Sequence, residues 1–167
     1  TDLPFRKLVR RFGSGLNVTE MIASPAAIRE TRQSLQKAAW DAIEEPVSMQ
    51  LVGCTPYEMG EAAKLNEDRG AAIIDINMGC PVKKIARKGG GSGLIREPDL
   101  AARIVDTVAA AVAIPVTVKT RLGWCGSDAD PVSWCRQLEA AGAQLLTLHG
   151  RTREQGFKGH ADWAAIA

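Results

Sequence analysis

A chain of 167 residues with 46% hydrophobic content is long enough to bury a core, which excludes a disordered tail. Twenty-one basic against nineteen acidic side chains leave a formal charge of only +2, so any surface for a polyanion has to be a local patch. The four cysteines, Cys54, Cys80, Cys125 and Cys135, form no C-x-x-C pair, and no apolar run approaches the roughly 18 residues that span a bilayer; this speaks against a zinc site or a membrane segment and for a soluble protein of the reducing cytoplasm.

Residues 3–12 place Leu3, Leu8, Val9 and Phe12 on one helical face, and Gly13 with Gly15 stops that helix. A short strand is expected over 16–21, a mainly helical stretch over 25–43 and a break at Glu45-Pro46. The apolar run 47–52 is the next strand, and a helix with Pro56 in its first turn continues to Arg69, where Gly70 ends it. Strands over 72–77, 115–121 and 145–149 follow, with helices over 98–112 and about 131–141 between them. Residues 162–167 look like the start of a further helix.

Alternation of strands and helices at this spacing is the mark of a parallel sheet built from right-handed crossovers, so the fold class is α/β. No clear G-x-G-x-x-G opens a helix after the first strand, which favours a (β/α)8 TIM barrel over a doubly wound sheet. A complete barrel takes about 250 residues, so the five expected strands make residues 1–167 a partial barrel domain. Alone, such a piece would expose two sheet edges and an apolar interior, and is expected to aggregate or fold incompletely.

In a barrel, side chains at the C-terminal ends of the strands face the active site. Gln50 closes one strand, Asn77 and Cys80 the next, Lys119 and Arg121 a third, and His149 and Arg151 a fourth. Cys80 lies in Asn77-Met78-Gly79-Cys80-Pro81, where Gly79 permits close approach of another molecule and Pro81 stiffens the exit; the bland alternative is a buried, inert thiol. Lys119 ends an apolar strand and could set a fixed charge beside an anionic cofactor, form a Schiff base, or merely reach out to solvent. After Cys80 come Lys83, Lys84, Arg87, Lys88 and Arg96 among Gly89, Gly90, Gly91 and Gly93, which reads as a pliable basic loop that could meet phosphates, as a glycine nest for an anion, or as a solvated run of charge.

Six fragments, in order, carry a resemblance: Thr1-Asp2-Leu3-Pro4-Phe5-Arg6, Gln50-Leu51, the stretch from Asp75 through Cys80-Pro81 to Lys84, Gly91-Ser92, Val118 to Gly123, and Leu148-His149-Gly150-Arg151-Thr152-Arg153. Together they resemble the bacterial tRNA-dihydrouridine synthases over nearly the whole chain. The resemblance implies a TIM barrel that carries FMN, is reduced by NADPH, and converts particular uridines of tRNA to 5,6-dihydrouridine. It implies that Cys80 is the catalytic acid that protonates uracil C5, that Gln50, Lys119 and His149 contact the flavin, and that Asn77 helps to hold the base. Arg121 and Arg151 are weaker carry-overs to the substrate side, and Lys83 and Lys84 are the candidates for contact with tRNA.

The resemblance further implies that the first strand, the last strands and a helical C-terminal tRNA-binding domain lie outside residues 1–167; a cytoplasmic monomer is expected of the full-length protein, although the sequence does not fix the oligomeric state. The segment alone is therefore expected to be inactive. Ala86 stands where many members of the family have Asn. An FMN enzyme acting on a free pyrimidine, a non-catalytic RNA-binding barrel and a Schiff-base aldolase using Lys119 are the alternatives.

Overall fold

The computed structural model describes residues 1–167, the side chain of residue 128 excepted. Helix α1 (Leu3–Arg10) starts where the Asp2 carboxylate accepts the N–H of Phe5 at 3.2 Å, with Pro4 in the first turn. Its burial inverts the expected one: Leu8 and Phe12 are exposed, Phe12 by 84%, and the residue that α1 buries is Arg6. Arg6 Nε donates to Glu44 Oε1 at 2.7 Å, and the guanidinium also donates to the carbonyls of Thr1 and Ala39. A pattern of apolar spacing cannot register a charge whose partner lies 38 residues away.

The strand expected over 16–21 is two short segments, β1 (Asn17–Val18) and β2 (Ile22–Ala23), which pair in parallel with one edge of β3 (Val47–Val52). Thr19 bridges them, donating its N–H to the Ser48 carbonyl and accepting the Gln50 N–H on Oγ1, each at 3.0 Å. The expected helical stretch over 25–43 is likewise divided into α2 (Ser24–Ile28), α3 (Arg32–Ala38) and a 3-10 turn, Ala42–Glu44. The break after α2 falls at Glu30, with φ of 49°, and Thr31 then caps α3 by accepting the Ser34 N–H.

Next come α4 (Pro56–Asp68), β4 (Ile73–Asn77), α5 (Lys83–Ala86), a 3-10 segment Gly91–Arg96, α6 (Pro98–Ala111), β5 (Val116–Arg121), α7 (Pro131–Ala140) and β6 (Leu145–His149). The sheet order is β1-β3-β4-β5-β6 with every pair parallel, and β2 shares the edge of β3 with β1. Five strand positions curl into a half-barrel, the α/β architecture of an incomplete TIM barrel. At the end of the chain a single turn forms, with Asp162 Oδ1 accepting the Ala165 N–H. No helix among the described residues is long and apolar enough to cross a membrane.

Side chains alternate across the sheet. Met49, Leu51, Ile74, Ile76 and Val118 are fully buried and pack with Met59, Ala62 and Ala63 of α4 and Ile104, Val105 and Val108 of α6. The opposite, lumenal positions hold Gln50, Asp75, Asn77, Thr117 and Lys119, so the inner face is polar at the strand mouths, as expected, and also at Asp75 and Thr117 further in, where an apolar interior was expected. The reason is the period of two: in each strand the apolar set that forms the core occupies only the helix-facing positions.

The glycines after Cys80 also differ from expectation. The N–H groups of Gly89, Gly90, Ser92 and Gly93 donate to the carbonyls of Ala86, Ile85, Cys80 and Gly90, which leaves these donors unavailable as a nest for an anion. Gly91 has φ of 56°, and a Cβ there would lie 2.9 Å from the Cys80 carbonyl oxygen. Glycine is required here by close packing under Cys80, and the segment forms a short helix and a 3-10 segment where an open loop was expected.

Candidate active site at the strand mouths

Parallel register sets the site. Gln50 pairs with Asp75, Asp75 with Thr117, Asn77 with Lys119, Lys119 with Thr147, and Arg121 with His149, so a polar side chain stands at each of four neighbouring strand ends. On β3 and β4 these groups are joined by hydrogen bonds. Asn77 Oδ1 accepts the backbone N–H groups of Gly79 and Cys80 at 3.1 and 2.9 Å, which folds the chain back just beyond β4. Asn77 Nδ2 donates to Gln50 Oε1 at 3.0 Å, and Gln50 Nε2 donates to Asp75 Oδ2 at 2.7 Å. Thr117 Oγ1 donates to the other oxygen, Asp75 Oδ1, at 2.6 Å.

Cys80 is half-buried at the end of this chain of bonds, and its carbonyl accepts the Ser92 N–H at 3.1 Å. Gly79 is not a gap for an incoming molecule: a Cβ there would sit 3.4 Å from the backbone of Lys119 and Thr120, in ordinary contact with β5. Arg121 is buried and donates to the carbonyls of Gly79, Thr152 and Gly156, tying the Cys80 turn to the segment after β6. Arg151 donates from Nη1 toward His149 Nε2 at 3.2 Å and from Nη2 to the Gly159 carbonyl. With Nε2 accepting, the imidazole carries its proton on Nδ1.

The electrostatics follow from this crowding. Burial first, then the positive charges of Arg121, Lys119 and Arg151, hold His149 below the usual histidine pKa, which keeps it neutral at pH 7. Burial and then Arg121 push Lys119 below the ordinary lysine value, with Asp75 opposing. Asp75 is lifted above the usual carboxylate range by burial, against the hydrogen bonds from Thr117 and Gln50 and the charge of Lys119.

A lysine with a lowered folded-state pKa has a charged form that the fold disfavours, so at neutral pH its charge costs stability. Lys119→Met is therefore expected to raise the melting temperature of the flavin-free full-length protein at pH 7. The gain should shrink as the pH rises through the lowered folded-state pKa toward the ordinary value of about 10.4. Thermal melts across that range check it, and a variant less stable than the parent at pH 7 would contradict it.

The family model described as Dihydrouridine synthase (Dus) matches residues 1–167. The chain belongs to the dihydrouridine synthase family. It is 52% identical over 169 residues to the "Probable tRNA-dihydrouridine synthase" of Rickettsia bellii, across 99% of this chain and 51% of that protein. It is 52% identical over 168 residues to "Probable tRNA-dihydrouridine synthase 1" of Synechocystis, across 100% of this chain and 47% of the relative. To "tRNA-dihydrouridine synthase B" of Pseudomonas aeruginosa it is 44% identical over 167 residues, across 100% of the chain and 50% of the relative. The chain thus spans about half the length of these curated relatives.

In this dihydrouridine synthase chain, Gln50, Asn77, Cys80 and Lys119 come together as expected of strand-mouth residues, with Arg121, His149 and Arg151 beside them. Lys83 and Lys84 do not join them. Both are exposed on α5, and Lys84, together with Lys88 beyond the helix, edges a cleft of about 280 Å³ that also touches Pro25, Val52, Cys54 and Ile85. Two members of the hydrogen-bonded chain, Asp75 and Thr117, escaped sequence reasoning. The available signal was the period of two, which sets Asp75 on the face of Asn77 and Thr117 on the face of Lys119.

Proposed function

We propose that the full-length protein reduces uridines of tRNA to 5,6-dihydrouridine, with bound FMN and with NADPH as the reductant. The observation that carries this reading is the hydrogen-bonded turn that presents a half-buried Cys80 at the strand mouth next to β5 and its Lys119. The residues fit a flavin. Lys119 is a half-buried lumenal cation that makes no ion pair among the described residues, so an electron-rich anionic ring would supply its missing counter-charge. Gln50, with one Nε2 hydrogen left after Asp75, and the neutral His149 would hold the same group from either side of Lys119 in the strand order.

Bound, reduced FMN held by Gln50, Lys119 and His149 would supply the hydride chemistry needed at C6 of the uracil. Cys80 transfers its thiol proton to C5, so hydride and proton together saturate the C5=C6 bond and a thiolate remains on Cys80. Asn77 keeps one amide N–H free for a carbonyl of the base, because its Oδ1 and its other N–H are already engaged. Arg121 and Arg151 support the substrate side by fixing the Cys80 turn and the His149 ring. The exposed Lys83, Lys84, Arg87 and Lys88 would meet tRNA phosphates.

The test is to purify the full-length protein, record its flavin absorbance, and assay dihydrouridine in unmodified tRNA incubated with NADPH. Turnover of free uracil but not of tRNA, or protein that binds no flavin, would overturn the reading. Neutralising Lys83, Lys84, Arg87 and Lys88 together is expected to weaken tRNA binding and flatten its dependence on salt, while reduction of the flavin by NADPH in the absence of tRNA stays unchanged. Phosphate contacts release counterions and flavin reduction does not. Equal salt slopes for variant and parent would mark α5 as a solvated run of charge.

A further inference from the structure

We propose that Asp75 is a positioning residue, the acceptor that fixes the direction of the Gln50 and Asn77 amides and through them seats the Cys80 turn. The role it assigns in turnover rests on the reading above; the geometry does not.

The chain of bonds has only one workable polarity. The backbone N–H groups of Gly79 and Cys80 can only donate, so Asn77 must turn its oxygen to them and its Nδ2 toward Gln50. Gln50 must then present Oε1 to Asn77 and Nε2 to whatever stands beyond it. An ionised carboxylate is the group that accepts without competing as a donor, and Asp75 stands there, 7% exposed, with its second oxygen taken by Thr117. Without an acceptor at this position, Gln50 would leave a donor unpaired or rotate its amide, and a rotated Gln50 would aim N–H at the N–H of Asn77. The preference of Asn77 for one orientation is then lost at the residue that holds the Cys80 turn. Burial lifts Asp75 above the usual carboxylate range, so a carboxylate at this place carries a cost that a role in packing would not require.

Asp75 also faces Lys119, so a purely electrostatic role is the competing explanation. The two differ in what asparagine does at this position. Asparagine keeps an oxygen for Gln50 and turns its Nδ2 to the Thr117 hydroxyl, which can accept, so the bonding pattern survives while the charge is gone.

The experiment uses the full-length protein in five forms: parent, Asp75→Ala, Asn77→Ala, the double variant of these two, and Asp75→Asn. Two rates are measured. One is alkylation of Cys80 by iodoacetamide in the flavin-free protein, followed by mass spectrometry of the Cys80 peptide; the other is dihydrouridine formation by the flavin-loaded enzyme. Each alanine variant is expected to speed alkylation and slow turnover by roughly tenfold or more, the double variant no more than Asn77→Ala alone, and Asp75→Asn to stay within about twofold of the parent. Effects that multiply in the double variant would show that Asp75 does not act through Asn77 and would overturn the proposal. So would an Asp75→Asn as impaired as Asp75→Ala, since charge would then be the cause; this arm decides the matter even if the alanine variant fails to fold. A non-multiplying alkylation cycle in a protein that makes no dihydrouridine would uphold Asp75 as a positioning residue and sink the proposed function alone.

Discussion

Cys80→Ala in the full-length protein is expected to lower dihydrouridine formation by at least ~10²-fold, the usual loss with a general acid, and to leave FMN binding unchanged. The backbone around Cys80 is held by groups that alanine retains: its N–H goes to Asn77 Oδ1, its carbonyl accepts from Ser92, and Gly91 packs beneath it. The substitution therefore removes a thiol and little else. None of the other cysteines stands in this hydrogen-bonded turn: Cys135 is on α7, Cys125 follows β5 and Cys54 follows β3. Proposed flavin contacts come from Gln50, Lys119 and His149, none of which bonds to the Cys80 side chain. Single-turnover assays with prereduced flavin separate the two effects. Near-parental turnover of unmodified tRNA by the alanine variant would remove Cys80 from the reaction.

What was legible in the sequence was whatever a strand states locally. Gln50, Asn77, Lys119 and His149 each interrupt or end an apolar run, and in a parallel α/β chain the end of such a run lies at the mouth of the sheet. The period of two sets Asp75 on the face of Asn77, but its partners become legible only when β3 and β5 are set beside β4 in register, which puts Gln50 and Thr117 on its two oxygens. Register is a property of pairs of strands, and one strand does not contain it. The glycines after Cys80 were legible as glycines but not as packing. Gly91 is dictated by the carbonyl of Cys80, a contact that composition represents only as permissiveness. The same distinction separates α5 from the site: its basic residues are adjacent to Cys80 in sequence, yet they lie exposed and outside the bonded chain.

Arg6→Ala is expected to be the most destabilising single change outside the site, costing about 3–5 kcal/mol, because it strands a buried carboxylate. Arg6 and Glu44 are exposed by only 1% and 0% at their side chains, and the guanidinium satisfies Glu44 together with the carbonyls of Thr1 and Ala39. With Arg6 gone, Glu44 keeps only the N–H of Asp41 at 3.1 Å, too little to offset the removal of a full charge from water. The pair closes α1 onto the 3-10 turn that precedes β3, so its loss should be felt where Thr1 and Asn17 approach the sheet edge. Removing both charges is a different matter. Arg6→Met with Glu44→Leu fills much of the volume without leaving an ion behind, and should be less destabilising than Arg6→Ala alone. Urea unfolding of the full-length proteins provides the comparison, and a double variant less stable than Arg6→Ala would mean that the pair contributes through net attraction and its capping bonds, with the stranded charge a minor part of the cost.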